Sequence, residues 1–361
     1  MTTSLDRQDL GVRVQTAVDA EIAVQTGVLA QVGDELLPLI DAVASLLRGG
    51  KRLRAAFLYW GYRACGGPDS PALIRTATAM EFFQAAALLH DDVMDDSDSR
   101  RGMPSAHRRL AAFHAAHGWS GSSDRFGVAG AILGGDLCLT WTDELFATSG
   151  LPSHELARAR PFFDTMRTHL MGGQFLDVLE SARGWEGEST QARVERARRV
   201  IRYKSAKYTV EHPLLIGASA AGAAATDLAG LSCYGLAAGE AFQMRDDVLG
   251  VFGDPAQTGK PAGDDLREGK RTVLLAYALD TAGAAELAAY DKLLGWADID
   301  PTSMDELRAM IGSSGAVARV EALIEQQSQM ARDALRTVHG MTDEGRDMLE
   351  RLVDLCSART S

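Results

Sequence analysis

Two short stretches of this chain place carboxylates where an apolar helix would be expected to end. The first, HDDVMDDSDSRRG from His90, follows a nearly unbroken apolar run over residues 82–89. Ala, Leu, Met, Glu and Gln dominate its approach and neither Gly nor Pro interrupts it, so a helix is predicted over residues 71–97. On that helix Asp91 and Asp95 stand at i and i+4 on one face, about 6 Å apart along the axis, with Asp92 rotated by about 100°. Carboxylates this close repel by roughly 1 kcal/mol per pair in water, and by about 4 kcal/mol at an effective dielectric of 20. A cation offsets that repulsion. Oxygen-only ligands favour a hard ion, Mg²⁺ before Ca²⁺, and Mg²⁺ held by one or two carboxylates completes its shell with water and substrate phosphates. Taken alone, a DDxxD is equally compatible with a solvated acidic helix end. The second stretch, FQMRDDVLGVFGD from Phe242, ends another apolar run in Asp246 and Asp247. Two such ends suggest facing carboxylates at the mouth of one cavity, able to hold metal ions around a diphosphate.

Basic residues recur near the same kind of boundary. GGKRLR from Gly49 sets Lys51, Arg52 and Arg54 at a glycine-softened helix start, whose free N–H groups also suit an anion. Arg100 and Arg101 close the first acidic stretch before Gly102, Lys204 lies in RYKSAKYTVEHP with Ser205 behind it, and Lys260 and Lys270 follow the second acidic pair. Singly, each reads as a surface charge. Together, acids and bases alternate near helix ends in a way a solvated surface has no reason to repeat. His90 beside the acids is expected to be a structural helix residue, and there is no Ser/His/Asp constellation.

The elements that must position these groups read as helices almost throughout. Helices are expected over residues 12–47 with a break near Gly33, 53–64, 71–97, 103–116, 128–148, 154–181, 191–217 with an interruption near Pro213, and 225–251, with helix again in the C-terminal third. A polar loop is expected over residues 118–127 and a glycine-rich charged loop after the second acidic pair. No convincing alternating strand pattern or Pro/Ser linker is present. The expectation is one all-α domain over residues 1–361, a large helical bundle around a deep central cavity, with a motif-bearing core over about 49–272 and a helical part over 273–361. Hydrophobic residues at 46% and charged residues at 24% of 361 are ordinary for a globular protein. A net charge of −12 argues against general nucleic-acid binding and means that an anionic substrate must be met by local cations. Four scattered cysteines without a CxxC favour a reducing cytoplasm, and neither a signal pattern nor a membrane-spanning apolar run is expected.

In this order, GGKRLR, HDDVMDDSDSRRG, GGQFLD from Gly172, YKSAKYT from Tyr203, and FQMRDDVLGVFGDPAQTGK with DDLREGKRT from Asp264 resemble the trans-isoprenyl diphosphate synthase, or polyprenyl synthetase, family. The likeness is greatest to its geranylgeranyl diphosphate synthases. It implies an all-α fold, usually a homodimer, that condenses isopentenyl diphosphate with an allylic diphosphate (dimethylallyl, geranyl or farnesyl) using three Mg²⁺ ions. By the same resemblance, Asp91, Asp92 and Asp95 would bind Mg²⁺ at the allylic diphosphate, with Asp246 and Asp247 holding the third ion. Arg100, Lys204, Lys260 and Lys270 would meet the allylic diphosphate, and Lys51, Arg54 and Arg101 that of isopentenyl diphosphate. Gln84 stands where many relatives carry histidine, Ser205 replaces the usual threonine, and Gln174, Asp177 and Gln243 would line the cavity where the carbocation forms. Gly250 stands where many members carry a third aspartate, and the first motif has the short two-residue spacer.

Small residues upstream of Asp91, namely Ala85, Ala86 and Ala87, leave room for a chain longer than C15, with Phe83 the first bulky floor, so a C20 product is expected. Close helix packing would equally explain the alanines. Farnesyl or longer products, a class I terpene cyclase, and a non-catalytic subunit of a heteromeric synthase are the alternatives. A cyclase would need neither Lys51, Arg54 and Arg101 nor isopentenyl diphosphate.

Overall fold

The computed structural model describes residues 9–254, 263–283, 287, 290, 293–295 and 299–358. These are helical apart from connecting turns and one two-stranded ladder. The chain gathers into two compact units. One holds residues up to Ala159 together with Gly217–Gly222, and the other holds Arg160–Ile216 and the residues from Ala223 onward.

In the first unit the expected helix over 12–47 divides into α1 (Leu10–Ala30), a single 3₁₀ turn (Asp34–Leu36) and α2 (Leu37–Leu47), with the break at Gly33. α3 (Leu53–Ala64) and α4 (Pro71–Met94) follow, then α5 (Ala106–Ala116) and α6 (Ser123–Ala147). α6 starts earlier than expected because the Ser122 side chain accepts from the Arg125 N–H and caps it. α4 packs against α3 and α6, and its buried residues lie on most faces, from Leu73 through Phe82 and Phe83 to Leu89. It begins on Ser70, whose side chain accepts from the Leu73 N–H, with Pro71 in the first turn.

α4 ends at Met94, three residues short of the predicted boundary. Asp95 keeps helical angles and gives its N–H to the Asp91 carbonyl at 2.8 Å, but Asp96 turns left-handed at φ 50°, and the Ser97 N–H reaches the Asp92 carbonyl at 3.0 Å. That six-to-one closure is a Schellman stop, with aspartate in the position glycine usually takes. Four carboxylates at the negative end of a helix dipole have reason to leave the helix early. The chain then forms an unpredicted ladder, Ser99–Arg100 against Met103–Pro104. Its two-residue turn is Arg101 (φ 54°) and Gly102 (φ 73°), and positive φ at both positions matches strand twist in a tight hairpin.

α7 (Ser153–Arg183) and α9 (His212–Ala221) carry residues of both units. The helix predicted over 191–217 is α8 (Thr190–Val200) followed by a π-helical stretch (Ile201–Glu211) that passes directly into α9. No interruption occurs at Pro213. The His212 N–H still reaches back five residues to the Lys207 carbonyl, so Pro213, which has no N–H, stands where the ladder returns to the i−4 pattern. In the second unit α10 (Ala225–Phe252) packs on the π stretch and on α13 (Ala316–Arg336), and α14 (Asp343–Ser357) packs on both helices. A short turn at Asp264–Arg267, α11 (Val273–Thr281) and α12 (Pro301–Ser313) complete a core that includes Met244, Val248, Leu274, Leu307 and Ile324.

Candidate active-site residues

In the first unit the early end of α4 leaves Asp91 partly open and Asp92 fully buried. The ladder brings Arg100 back over them. Its Nε donates to Asp92 Oδ1 at 2.8 Å, a terminal guanidinium nitrogen also meets Asp92, and the same nitrogen lies 3.4 Å from Asp91 Oδ2. Asp96 and Asp98 are tied to Arg108 at 3.0 and 2.7 Å on the surface, apart from that cluster. His90 Nε2 is 3.1 Å from the Ile132 carbonyl and 3.6 Å from Asp136 Oδ1.

Gly49, Gly50 and Arg52 all take positive φ in the GGKRLR stretch. Arg52 holds this turn down. It is buried, bonded to Glu81 at 2.8 Å, and also donates to the Leu47 carbonyl. Arg101 lies over the turn and donates to the carbonyls of Leu46 and Arg48 at 3.1 and 3.2 Å. A side chain at Gly50 would come within 3.2 Å of its guanidinium. Loss of solvent and then the charge of Arg52 push the Arg101 pKa down, with Arg100 and Arg54 adding to the effect and Glu81 opposing it. Several guanidiniums around one carboxylate favour a multiply charged anion. Lys51 is exposed and Arg54 half-buried beside them. The sequence grouped Arg52 with Lys51 and Arg54 as charge for an anion, whereas the structure pairs it with Glu81; Glu81 was not singled out, although it is a lone charge inside the apolar run MEFFQAAA.

Along α4, Gln84, Ala87 and Asp91 share a partly open stripe, whereas Phe83 and Ala86 are packed inside the unit at 1% and 0% exposure.

In the second unit the π stretch presents Lys204 and Ser205, both half-buried. Lys204 Nζ lies 2.5 Å from Asp177 Oδ2 on α7, beside half-buried Gln174. Glycine permits this approach: a Cβ on Gly173 would lie 2.3 Å from the Tyr203 carbonyl carbon, and one on Gly239 of α10 2.6 Å from the Ala206 Cα. At the end of α10, Gln243 Nε2 donates to Asp247 Oδ1 at 2.8 Å. Burial, and then the nearby Asp265 carboxylate, push the Asp247 pKa well up. Gln243 and Lys270 oppose the shift and Asp246 reinforces it. Lys270 pairs with Glu268 and lies 3.7 Å from Asp265 Oδ1. Lys260 lies outside the described residues.

Thus Asp91, Asp92, Arg100 and Arg101 are brought together in one unit, and Asp246, Asp265 and Lys270 act on Asp247 in the other. Among the described residues no three His, Cys, Asp or Glu side chains stand ready to hold a metal ion unaided. The donor sets still suit a hard cation: they are all carboxylate oxygen, and pairs of carboxylates leave coordination positions for phosphate and water. Among the described residues no helix is long and apolar enough to cross a membrane.

The sequence profile described as polyprenyl synthetase matches residues 38–311. A geranylfarnesyl diphosphate synthase from Aeropyrum pernix is 32% identical over 85% of this chain and 89% of that protein. A nonaprenyl diphosphate synthase from Mycobacterium tuberculosis is 29% identical over 96% and 91%. Among solved structures, geranylgeranyl pyrophosphate synthase from Corynebacterium glutamicum, complexed with isoprenyl diphosphate and magnesium, superposes with a TM-score of 0.90 at 38% identity, covering 96% of this chain and 97% of that one.

Proposed function

Because the chain belongs to the polyprenyl synthetase family, we propose that it condenses isopentenyl diphosphate with an allylic diphosphate, head to tail, to give an all-trans prenyl diphosphate of C20 length. The observation that carries this reading is the seating of Arg100 on Asp92 and Asp91, a cation already resting on the carboxylates that would hold metal. An arriving metal diphosphate can take both partners at once, the carboxylates binding its metal and the guanidinium its phosphate oxygens.

When bound, Mg²⁺ would spread the charge that builds on the leaving diphosphate as the allylic C–O bond breaks. Asp91, Asp92 and Asp95 would hold it in the first unit, and Asp246 and Asp247 in the second, with three ions in all. Arg100, Lys204, Lys260 and Lys270 add positive charge where the leaving group develops its own. Lys51, Arg54 and Arg101, with Gln84, fix the diphosphate of isopentenyl diphosphate so that its double bond attacks the allylic carbon. Gln174, Asp177, Ser205 and Gln243 line the reaction space, and the proton lost afterwards goes to the departed diphosphate. The C20 length is supported by Ala87, a small residue on the open stripe one turn before Asp91. A homodimer working in the cytoplasm completes the reading, on the strength of the family.

Incubation of the purified chain alone with isopentenyl diphosphate, Mg²⁺ and each allylic primer in turn, followed by product mass, tests it. Geranylgeranyl diphosphate is expected. A product that stops at C15 would remove the chain-length part, and absence of any condensation would remove the whole.

A further inference from the structure

Three of the four residues Gly49, Gly50, Lys51 and Arg52 take positive φ, and Arg52, at 51°, is not a glycine. A left-handed residue with a Cβ is strained and persists only where its surroundings hold it there. Arg52 is held through its own side chain. Nη1 donates to Glu81 Oε2 of α4 at 2.8 Å, and the Ala55 N–H, in the first turn of α3, donates to the other Glu81 oxygen at 3.4 Å. Nη2 donates to the Leu47 carbonyl at the end of α2 and to Gln15 Oε1 on α1. The same Gln15 oxygen accepts from the Gly49 N–H at 3.1 Å. Gln15 therefore closes the turn at both ends. Its own helix sets the orientation of its amide: Nε2 donates to Asp19 Oδ1, one turn along α1, at 2.8 Å, which leaves the oxygen facing the turn.

We propose that Gln15 is a positioning residue for isopentenyl diphosphate. It acts through Arg52 and the Gly49 N–H, fixing the turn that presents Lys51 and Arg54 to the diphosphate. This rests on the prenyl diphosphate synthase reading above. It gives α1, which carries none of the acidic or basic motifs, a part in substrate affinity.

Gln15 is neutral, so replacing it with a neutral residue leaves the charge around the turn unchanged, and a change in anion affinity reads position rather than field. Gln15→Met keeps the length of the side chain without its acceptor, and Gln15→Ala keeps a strong helix former in α1. Both are expected to fold, as read by thermal melt. Affinity of the full chain for isopentenyl diphosphate, measured by titration calorimetry, should fall by about three- to tenfold in each, the scale of one net hydrogen bond. In steady-state condensation the KM for isopentenyl diphosphate should rise by the same factor, while kcat and the KM for the allylic diphosphate stay within about twofold, the pattern of lost ground-state binding at one substrate. Wild-type affinity in either folded variant overturns the proposal, and so does a wild type that binds no isopentenyl diphosphate. A matching loss in kcat or in allylic KM, or loss of the fold in both variants, makes Gln15 a structural residue and overturns it equally. Condensation by the wild type is scored separately. If it fails, the function is wrong whatever the calorimetry gives; if it succeeds while the variants bind normally, only the role of Gln15 falls.

Discussion

Arg100 and Asp92 illustrate what residue spacing can and cannot reveal. The i and i+4 relation of Asp91 and Asp95 follows from helix geometry alone, and the carboxylates are grouped at the end of α4 as that spacing requires. The burial of Asp92 beneath Arg100 depends on a chain reversal at Arg101 and Gly102, and no periodicity encodes it. His212 was equally hidden. It reads as an ordinary polar residue before a proline, yet it is 4% exposed, with Nε2 3.2 Å from His169 Nδ1. Burial pulls its pKa down from 6.5 to about 4; Glu211 opposes this, and Lys207 and His169 add to it. The unfolded chain therefore takes up a proton at this residue at higher pH than the folded one. Stability contributed by neutral His212 is present above pH 6.5 and is lost as the pH falls toward 4. Thermal unfolding followed across that window should show a shallower acid decline in His212→Asn than in the wild type; parallel curves would contradict the assignment.

At the scale of elements, the presence and approximate extent of most described helices were readable because apolar runs stop at polar, Gly- or Pro-containing turns. The stop of α4 and the π stretch were not. The first is a local contest between carboxylates and a helix dipole, and the second is imposed by neighbours. The wider π stretch is accommodated by helices that approach it through Gly173 and Gly239, and only a structure shows what those glycines face. Gly173→Val would drive a branched side chain into the Tyr203–Lys204 backbone. We expect a loss of about 1–3 kcal/mol in chemical denaturation, as for overpacked sites, together with reduced turnover as Lys204 shifts. Unchanged stability and turnover would show that the contact is not tight.

For the whole molecule, apolar runs of helical length without alternating strand patterns were enough to indicate an all-α protein, and linked motifs were enough to indicate its family. The division into two compact units was not legible: its boundaries fall inside α7 and α9, near Pro161 and Pro213, with no change of composition to mark them. Nor did sequence distinguish the packed Phe83 and Ala86 from the open Ala87. That distinction sharpens the chain-length prediction, because Ala87→Phe alters the open stripe and should shorten the product by at least one five-carbon unit, as read by mass. An unchanged product would place the floor on another helix.

The account depends above all on both acidic motifs serving one condensation. The most direct measurement is Mg²⁺-dependent consumption of isopentenyl diphosphate by the wild type, Asp91→Asn and Asp246→Asn, with folding of each checked by thermal melt. Each variant is predicted to lose about 10²–10³ in kcat while remaining folded, the scale expected when electrostatic stabilisation of a developing charge is removed. Wild-type turnover in either folded variant would contradict it.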